Sequence, residues 1–216
     1  MSTTWDAGKK PPSAAVTPWR LLLAVIRALI LAVMVFGGLA VLLVLRLVEW
    51  PLFGQHRPLT PYITQGVCRA AFVILGIGFC SHGQAMGHPG AVVANHSSWL
   101  DIFALNAGKR IYFVSKSEVA GWPGIGWLAR ATGTVFIRRD PKDAKQQKAM
   151  FQTRLLAGHR LLFFPEGTST DGLRVLPFKS TLFAAFFDEK LRCEMYIQPV
   201  TVLYKAPPGQ AAEFYG

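Results

Sequence analysis

Residues 90–116 read GAVVANHSSWLDIFALNAGKRIYFVSK: an apolar run, a polar turn, a helical stretch and a second apolar run. AVVAN and RIYFVSK are apolar almost throughout, as strands are when a sheet is covered on both faces. WLDIFALNAG between them reads as a helix, so the segment is strand, helix, strand. The same alternation continues along the chain. GTVFIRR (133–139), RLLFFPE (160–166) and MYIQPVTVLY (195–204) read as further strands. GIGWLARAT, DPKDAKQQKAMFQTRLLAGH and STLFAAFFDEK read as helices, the second with Asp140 suited to the N-cap, Pro141 to the first helical position and Gly158 to the far end. Strands alternating with helices predict an α/β domain, its sheet mostly parallel and covered by helices on both faces.

Upstream the pattern is different. Residues 1–20 form a polar, proline-bearing tail. Then comes LLLAVIRALILAVMVFGGLAVLLVLRLVEWP (21–51), in which nothing from Ala28 to Leu45 is charged. Eighteen such residues approach the length of a bilayer-crossing helix, and Arg27 and Arg46 flank them where they can snorkel to headgroups. No small-residue cleavage site follows, which argues against a signal peptide. AAFVILGIGFC (70–80) is too short to span; it reads as an interfacial helix, a partner for the first or a core element. Basic residues stand on both sides, so a single crossing and a hairpin re-entering one leaflet both stay open. The expected division is therefore a tail (1–20), a membrane-embedded helical segment (21–82) and an α/β domain (83–216).

Composition narrows the function classes. Hydrophobic residues make up 51% and charged residues 16%, yet the formal net charge is +11. Apolar and basic together point to an anionic membrane surface or an anionic substrate. A nucleic-acid partner is not expected, because no zinc-finger spacing, RNA-binding signature or long basic run is present. Cys68, Cys80 and Cys193 have neither paired nor metal-type spacing, which fits a reduced, cytosol-facing domain.

In a parallel sheet, functional residues gather where strands end. His96 and Asp101 follow AVVA, Arg138 and Arg139 follow TVFI, and Glu166 follows LLFFP. Five residues of helix rotate by about 500°, which would leave His96 and Asp101 facing apart. They meet only if His96 precedes the helix and Asp101 sits in its first turn, with Ser97 or Ser98 as the N-cap. Then Asp101 can accept from one imidazole nitrogen and leave the other as a base. A polar turn with capping serines explains the same residues equally well. FPEGTSTDG makes a tight turn with exposed amides, an anion cradle or a plain surface turn. Basic residues outnumber acidic ones thirteen to six between Asp101 and Ser180.

The ordered set NHSSWLD, GTVFIRR, FPEGTST and IQPV resembles the four-block pattern of the glycerolipid acyltransferases, typified by bacterial 1-acylglycerol-3-phosphate acyltransferases. FVSKSEVAGWPGIGWLARATG resembles that family's connection between its first two blocks. The resemblance implies acyl transfer from an acyl carrier protein or coenzyme A thioester to a lysolipid hydroxyl at the cytoplasmic membrane, the catalytic domain facing the cytoplasm. It implies His96 as general base and Asp101 as its orienter, with no acyl-enzyme and no metal or redox cofactor. Arg139, Glu166, Gly167, Thr168, Ser169 and Lys179 are the implied acceptor-binding residues. Ser169 departs from the pattern, since the third block usually carries an arginine there that holds the acceptor's phosphate. Either Arg139, Arg174 or Lys179 takes that part, or the acceptor has no phosphate, as in the branch acylating lyso-ornithine lipid. A serine hydrolase would want a Gly-x-Ser-x-Gly elbow, and SHGQAMG and GTSTDG both lack it. A basic membrane-binding adaptor would need no catalytic pair.

Overall fold

The computed structural model describes residues 17–138, 144–170, 172, 175–180, 183 and 195–207. Apart from Ser180 and Phe183 the expected STLFAAFFDEK helix lies outside these residues, as do the Asp140–Pro141 cap, Arg139 and Arg174.

Helix α1 spans Pro18–Phe53 and starts inside the stretch read as tail, because Thr17 caps it and Pro18 takes the first helical position. Its 36 residues include Pro51, which sits in the last turn, and its length is about 54 Å at 1.5 Å per residue. It is long and apolar enough to cross a membrane. At its far end Glu49 is buried and accepts from the Leu59 amide at 2.6 Å, the Thr60 amide at 2.9 Å and the Thr60 hydroxyl at 2.7 Å. That carboxylate sits at the N-terminus of α2 (Thr60–Leu75), where it satisfies orphan amides and complements the helix dipole.

At the other end of α2, Arg27 Nη1 donates to the Leu75 carbonyl at 2.9 Å. The guanidinium expected among headgroups is thus directed to a helix C-terminus. The two helices run antiparallel, with Val67 seated against Gly38, where any Cβ would come within 2.5 Å of Val67 Cγ2. Cys68 and Phe72, on the other face of α2, pack against Leu100 and Ala107. The second apolar stretch therefore belongs to a helix that both partners α1 and joins it to the α/β core.

The core is a five-stranded, all-parallel sheet. In chain order its elements are β1 (Gly90–Ala94), α3 (Asp101–Gly108), β2 (Tyr112–Lys116), α4 (Ile125–Thr132), β3 (Val135–Ile137), α5 (Ala144–Leu156), β4 (Arg160–Phe163) and β5 (Tyr196–Val200). The strands lie in the order β3-β2-β4-β1-β5, so every strand expected from the sequence is present. Side chains alternate between faces. Ala91, Tyr112, Val114, Leu161 and Phe163 pack with Phe151 and Leu155 of α5 on one side. Val92, Ala94, Phe113 and Leu162 pack with Leu105 of α3 on the other. Gly90 has φ +151°, and a Cβ there would come within 2.0 Å of the Tyr196 carbonyl oxygen. β5 reaches β1 only because residue 90 has no side chain.

Candidate active site

β1 lies between β4 and β5, so the chain leaving it enters a crevice walled by the ends of both neighbours. His96 comes before α3 and Asp101 is the first residue of that helix, the arrangement that lets the two meet. His96 Nδ1 stands 2.8 Å from Asp101 Oδ2. The same oxygen accepts from the Ser97 amide at 2.7 Å and the Ser98 amide at 3.0 Å. Oδ1 accepts from the Tyr204 hydroxyl. Asp101 is fully buried, 0% exposed. Burial alone would raise its pKa, but the bonds from His96, Ser98, Tyr204 and Ser97 outweigh it and hold the carboxyl below its ordinary value.

The serines do not cap α3 as expected. The residue at the cap is Leu100, whose own amide is held by Ser98 Oγ at 3.2 Å. The two serine amides turn inward to the carboxylate instead, because a buried charge needs donors more than a helix start does. His96 itself is held face to face on Phe164, ring centroids 4.0 Å apart. Its side chain stays 22% exposed, and among the described residues Nε2 takes no hydrogen bond. The arrangement is an imidazole oriented by Asp101 at one ring nitrogen and by Phe164 at its face.

The loop after β4 forms the opposite wall. The Thr170 amide donates to the His96 carbonyl at 2.8 Å, which brings GTST against NHSS. Gly167 adopts φ +71° and donates to the Phe164 carbonyl at 3.0 Å. Thr168 is exposed, and Ser169 half-buried beside it. Glu166 is buried and accepts from the Leu176 amide at 3.0 Å, so its carboxylate ties the loop to the segment around Leu176. The Lys179 amide donates to the Pro165 carbonyl at 2.8 Å while its side chain is exposed. Arg138 is exposed at the end of β3, three strands and about 14 Å from β1 at ordinary strand spacing. The Thr170–His96 bond thus places the loop carrying Gly167, Thr168 and Ser169 beside the His96–Asp101 pair and leaves Arg138 apart. No thiol joins them among the described residues: burial pushes Cys68 up to about 12, and Cys80 is an exposed free thiol.

Four residues of the site escape a sequence reading. Asn95 accepts from the Val202 amide at 2.8 Å and donates to its carbonyl at 3.0 Å, clamping the chain beyond β5 to the chain beyond β1. Phe164, Thr170 and Tyr204 complete the surroundings of the pair. Tyr204 is 103 residues from Asp101, and only the adjacency of β1 and β5 brings them together.

The chain is an all-parallel α/β protein with a histidine–carboxylate pair beyond the carboxyl end of β1. A family profile described as Acyltransferase matches residues 79–203. The chain belongs to the acyltransferase family. It is 62% identical over 186 residues to the lyso-ornithine lipid O-acyltransferase of Rhodobacter capsulatus, covering 86% of this chain and 67% of that one. It is 39% identical over 124 residues to the 1-acyl-sn-glycerol-3-phosphate acyltransferase of Neisseria gonorrhoeae, covering 56% and 48%. The chain therefore spans about two thirds of the first relative and about half of the second. The crystal structure of the 1-acyl-sn-glycerophosphate acyltransferase from Thermotoga maritima has the same fold, with TM-score 0.55, 24% identity and coverage of 77% and 68%.

Proposed function

We propose that the protein transfers a fatty acyl group from a thioester, carried by an acyl carrier protein or coenzyme A, to the hydroxyl of a lysolipid. The observation that carries this reading is the His96 Nδ1 contact with a buried, multiply bonded Asp101, which leaves Nε2 as the free base. His96 Nε2 takes the hydroxyl proton as the oxygen attacks the thioester carbonyl. The tetrahedral species then collapses, the C–S bond breaks, and the imidazolium returns the proton to the departing thiolate. Asp101 stabilises the imidazolium in between. The thioester is already activated, so these steps call on no metal or redox cofactor. The enzyme works at the cytoplasmic face of the membrane, with α1 as the apolar attachment.

The acceptor we favour lacks a phosphate. Arginine gives a phosphate two charge-assisted bonds, whereas the hydroxyl of Ser169 offers a single neutral donor. The likeness to a lyso-ornithine lipid O-acyltransferase supports the same choice. The test offers the purified chain lyso-ornithine lipid and lysophosphatidic acid, with acyl carrier protein and coenzyme A thioesters as donors. Turnover of lyso-ornithine lipid is expected, and exclusive use of lysophosphatidic acid would defeat the phosphate-free reading. His96→Ala is expected to abolish transfer to either acceptor; transfer by that variant would sink the mechanism.

A further inference from the structure

Asp101 spends three donors on one oxygen and one on the other. His96 Nδ1 and the Ser97 and Ser98 amides share Oδ2, while Oδ1 takes the Tyr204 hydroxyl. We propose that Tyr204 is a positioning residue which, through Asp101, sets the basicity of His96; the inference rests on His96 being the general base.

The fold delivers Tyr204 with little freedom. β5 pairs in register with β1 up to Ala94 and Val200, and the Asn95 clamp fixes Val202 on both its amide and its carbonyl. Val200, Val202 and Tyr204 then follow the two-residue period of an extended chain and pack toward the α3 side. Tyr204 arrives two residues beyond the clamp, beside the first turn of α3.

A donor on Oδ1 draws charge from the carboxylate, so the carboxylate favours the imidazolium less than a bare one would. Tyr204 keeps its proton for this purpose: burial first, and the bond to Asp101 second, push its hydroxyl above the ordinary value. Among the described residues, the titratable and charged groups on the elements around His96 are Asp101 of α3, Arg160 at the far end of β4 with Glu166 and Lys179 beyond that strand, Tyr196 at the far end of β5 with Tyr204 and Lys205 beyond it, and Tyr62, Cys68 and Arg69 of α2 behind α3. Among the described residues only Asp101 bonds the imidazole, and the same carboxylate takes the Tyr204 hydroxyl, so Asp101 links the two.

The experiment is the pH profile of kcat/KM for the full chain, with the thioester and lysolipid pair that the parent turns over. Tyr204→Phe should move the acid limb to higher pH by about half a unit to one unit and lower the plateau by roughly two- to tenfold. Site-specific 3,5-difluorotyrosine at position 204, a stronger donor of the same shape, should move the limb the other way. It also decides the matter alone if Tyr204→Phe does not fold. A limb that stays in place in both variants, whatever happens to the plateau, overturns the inference and leaves Tyr204 a space-filling residue. Failure of the general-base reading looks different: the parent would have no acid limb and His96→Ala would still transfer.

Discussion

Replacing Asp101 by alanine should damage the fold, whereas replacing His96 by alanine should damage only the chemistry. Asp101 accepts four hydrogen bonds, two of them from the backbone amides of the buried residues Ser97 and Ser98. Alanine leaves both amides without an acceptor, and each unsatisfied buried donor costs about 1–3 kcal/mol, or about 2–6 kcal/mol for the pair. Domain stability totals only about 5–15 kcal/mol. At about 2–4 °C per kcal/mol for a chain of this size, melting should fall by at least about 4 °C. His96→Ala removes one donor and leaves three on the carboxylate, a loss of about 1 kcal/mol, while transfer falls by about 10²- to 10⁴-fold. Asp101→Asn separates the two contributions. Its oxygen can still accept from Ser97, Ser98 and His96, and its amide can face Tyr204, so folding survives while the charge behind the imidazolium is gone. The assay is thermal unfolding by circular dichroism in detergent beside acyl transfer on the same samples. Equal melting of Asp101→Ala and His96→Ala, or full transfer by Asp101→Asn, would refute the reasoning.

Acid should destabilise the protein in two separable windows. His159 is 4% exposed, stacks on Tyr112, and is held down to about 3 by burial and then by the charges of Arg154 and Arg57. The unfolded chain binds that proton from about pH 6.5 downward while the folded one refuses it, so stability falls as pH drops below 6.5. His159→Phe should remove this loss, a relative gain of up to about 2 kcal/mol at pH 5, read from denaturation at pH 7.5 and pH 5. An unchanged pH dependence would contradict it. The Asp101 contribution, fully present above the ordinary carboxylate range, is lost only lower, as pH falls through its depressed folded value. Gly90→Ala should lose transfer and melt lower, because its Cβ would stand 2.0 Å from the Tyr196 carbonyl and push β5 from β1; wild-type melting and activity would count against that account.

Local pattern revealed what local physics controls. All five strands, and α4 and α5 within the described residues, show in runs of apolar residues and in the placement of glycine, as at Gly158 with φ +77°. The demand that His96 precede its helix came from rotation per residue alone, and the structure meets it. The cap did not come out the same way, since residue preference for Ser97 and Ser98 at an N-cap says nothing of a buried carboxylate competing for their amides. Glu49 at the start of α2, Arg27 at its end, and Tyr204 on Asp101 are contacts between distant segments. They depend on strand order and helix pairing, which no window of sequence contains. The acceptor block is an intermediate case. Its turn is legible in FPEGTST, but the bond by which Glu166 Oε2 accepts from the Leu176 amide, ten residues on, is not.

The order in which the chain is made bears on when it becomes competent. α1, the segment apolar enough to enter a bilayer, precedes the sheet in the chain, and β5 is the last strand among the described residues. At about 5–20 residues per second, Tyr204 appears about 5 to 20 s after Asp101, since 103 positions separate them. During that interval β1 has an open edge and the Asp101 carboxylate lacks the Tyr204 hydroxyl. On the proposed mechanism, the bonding set of the His96–Asp101 pair is therefore complete only once β5 has paired with β1.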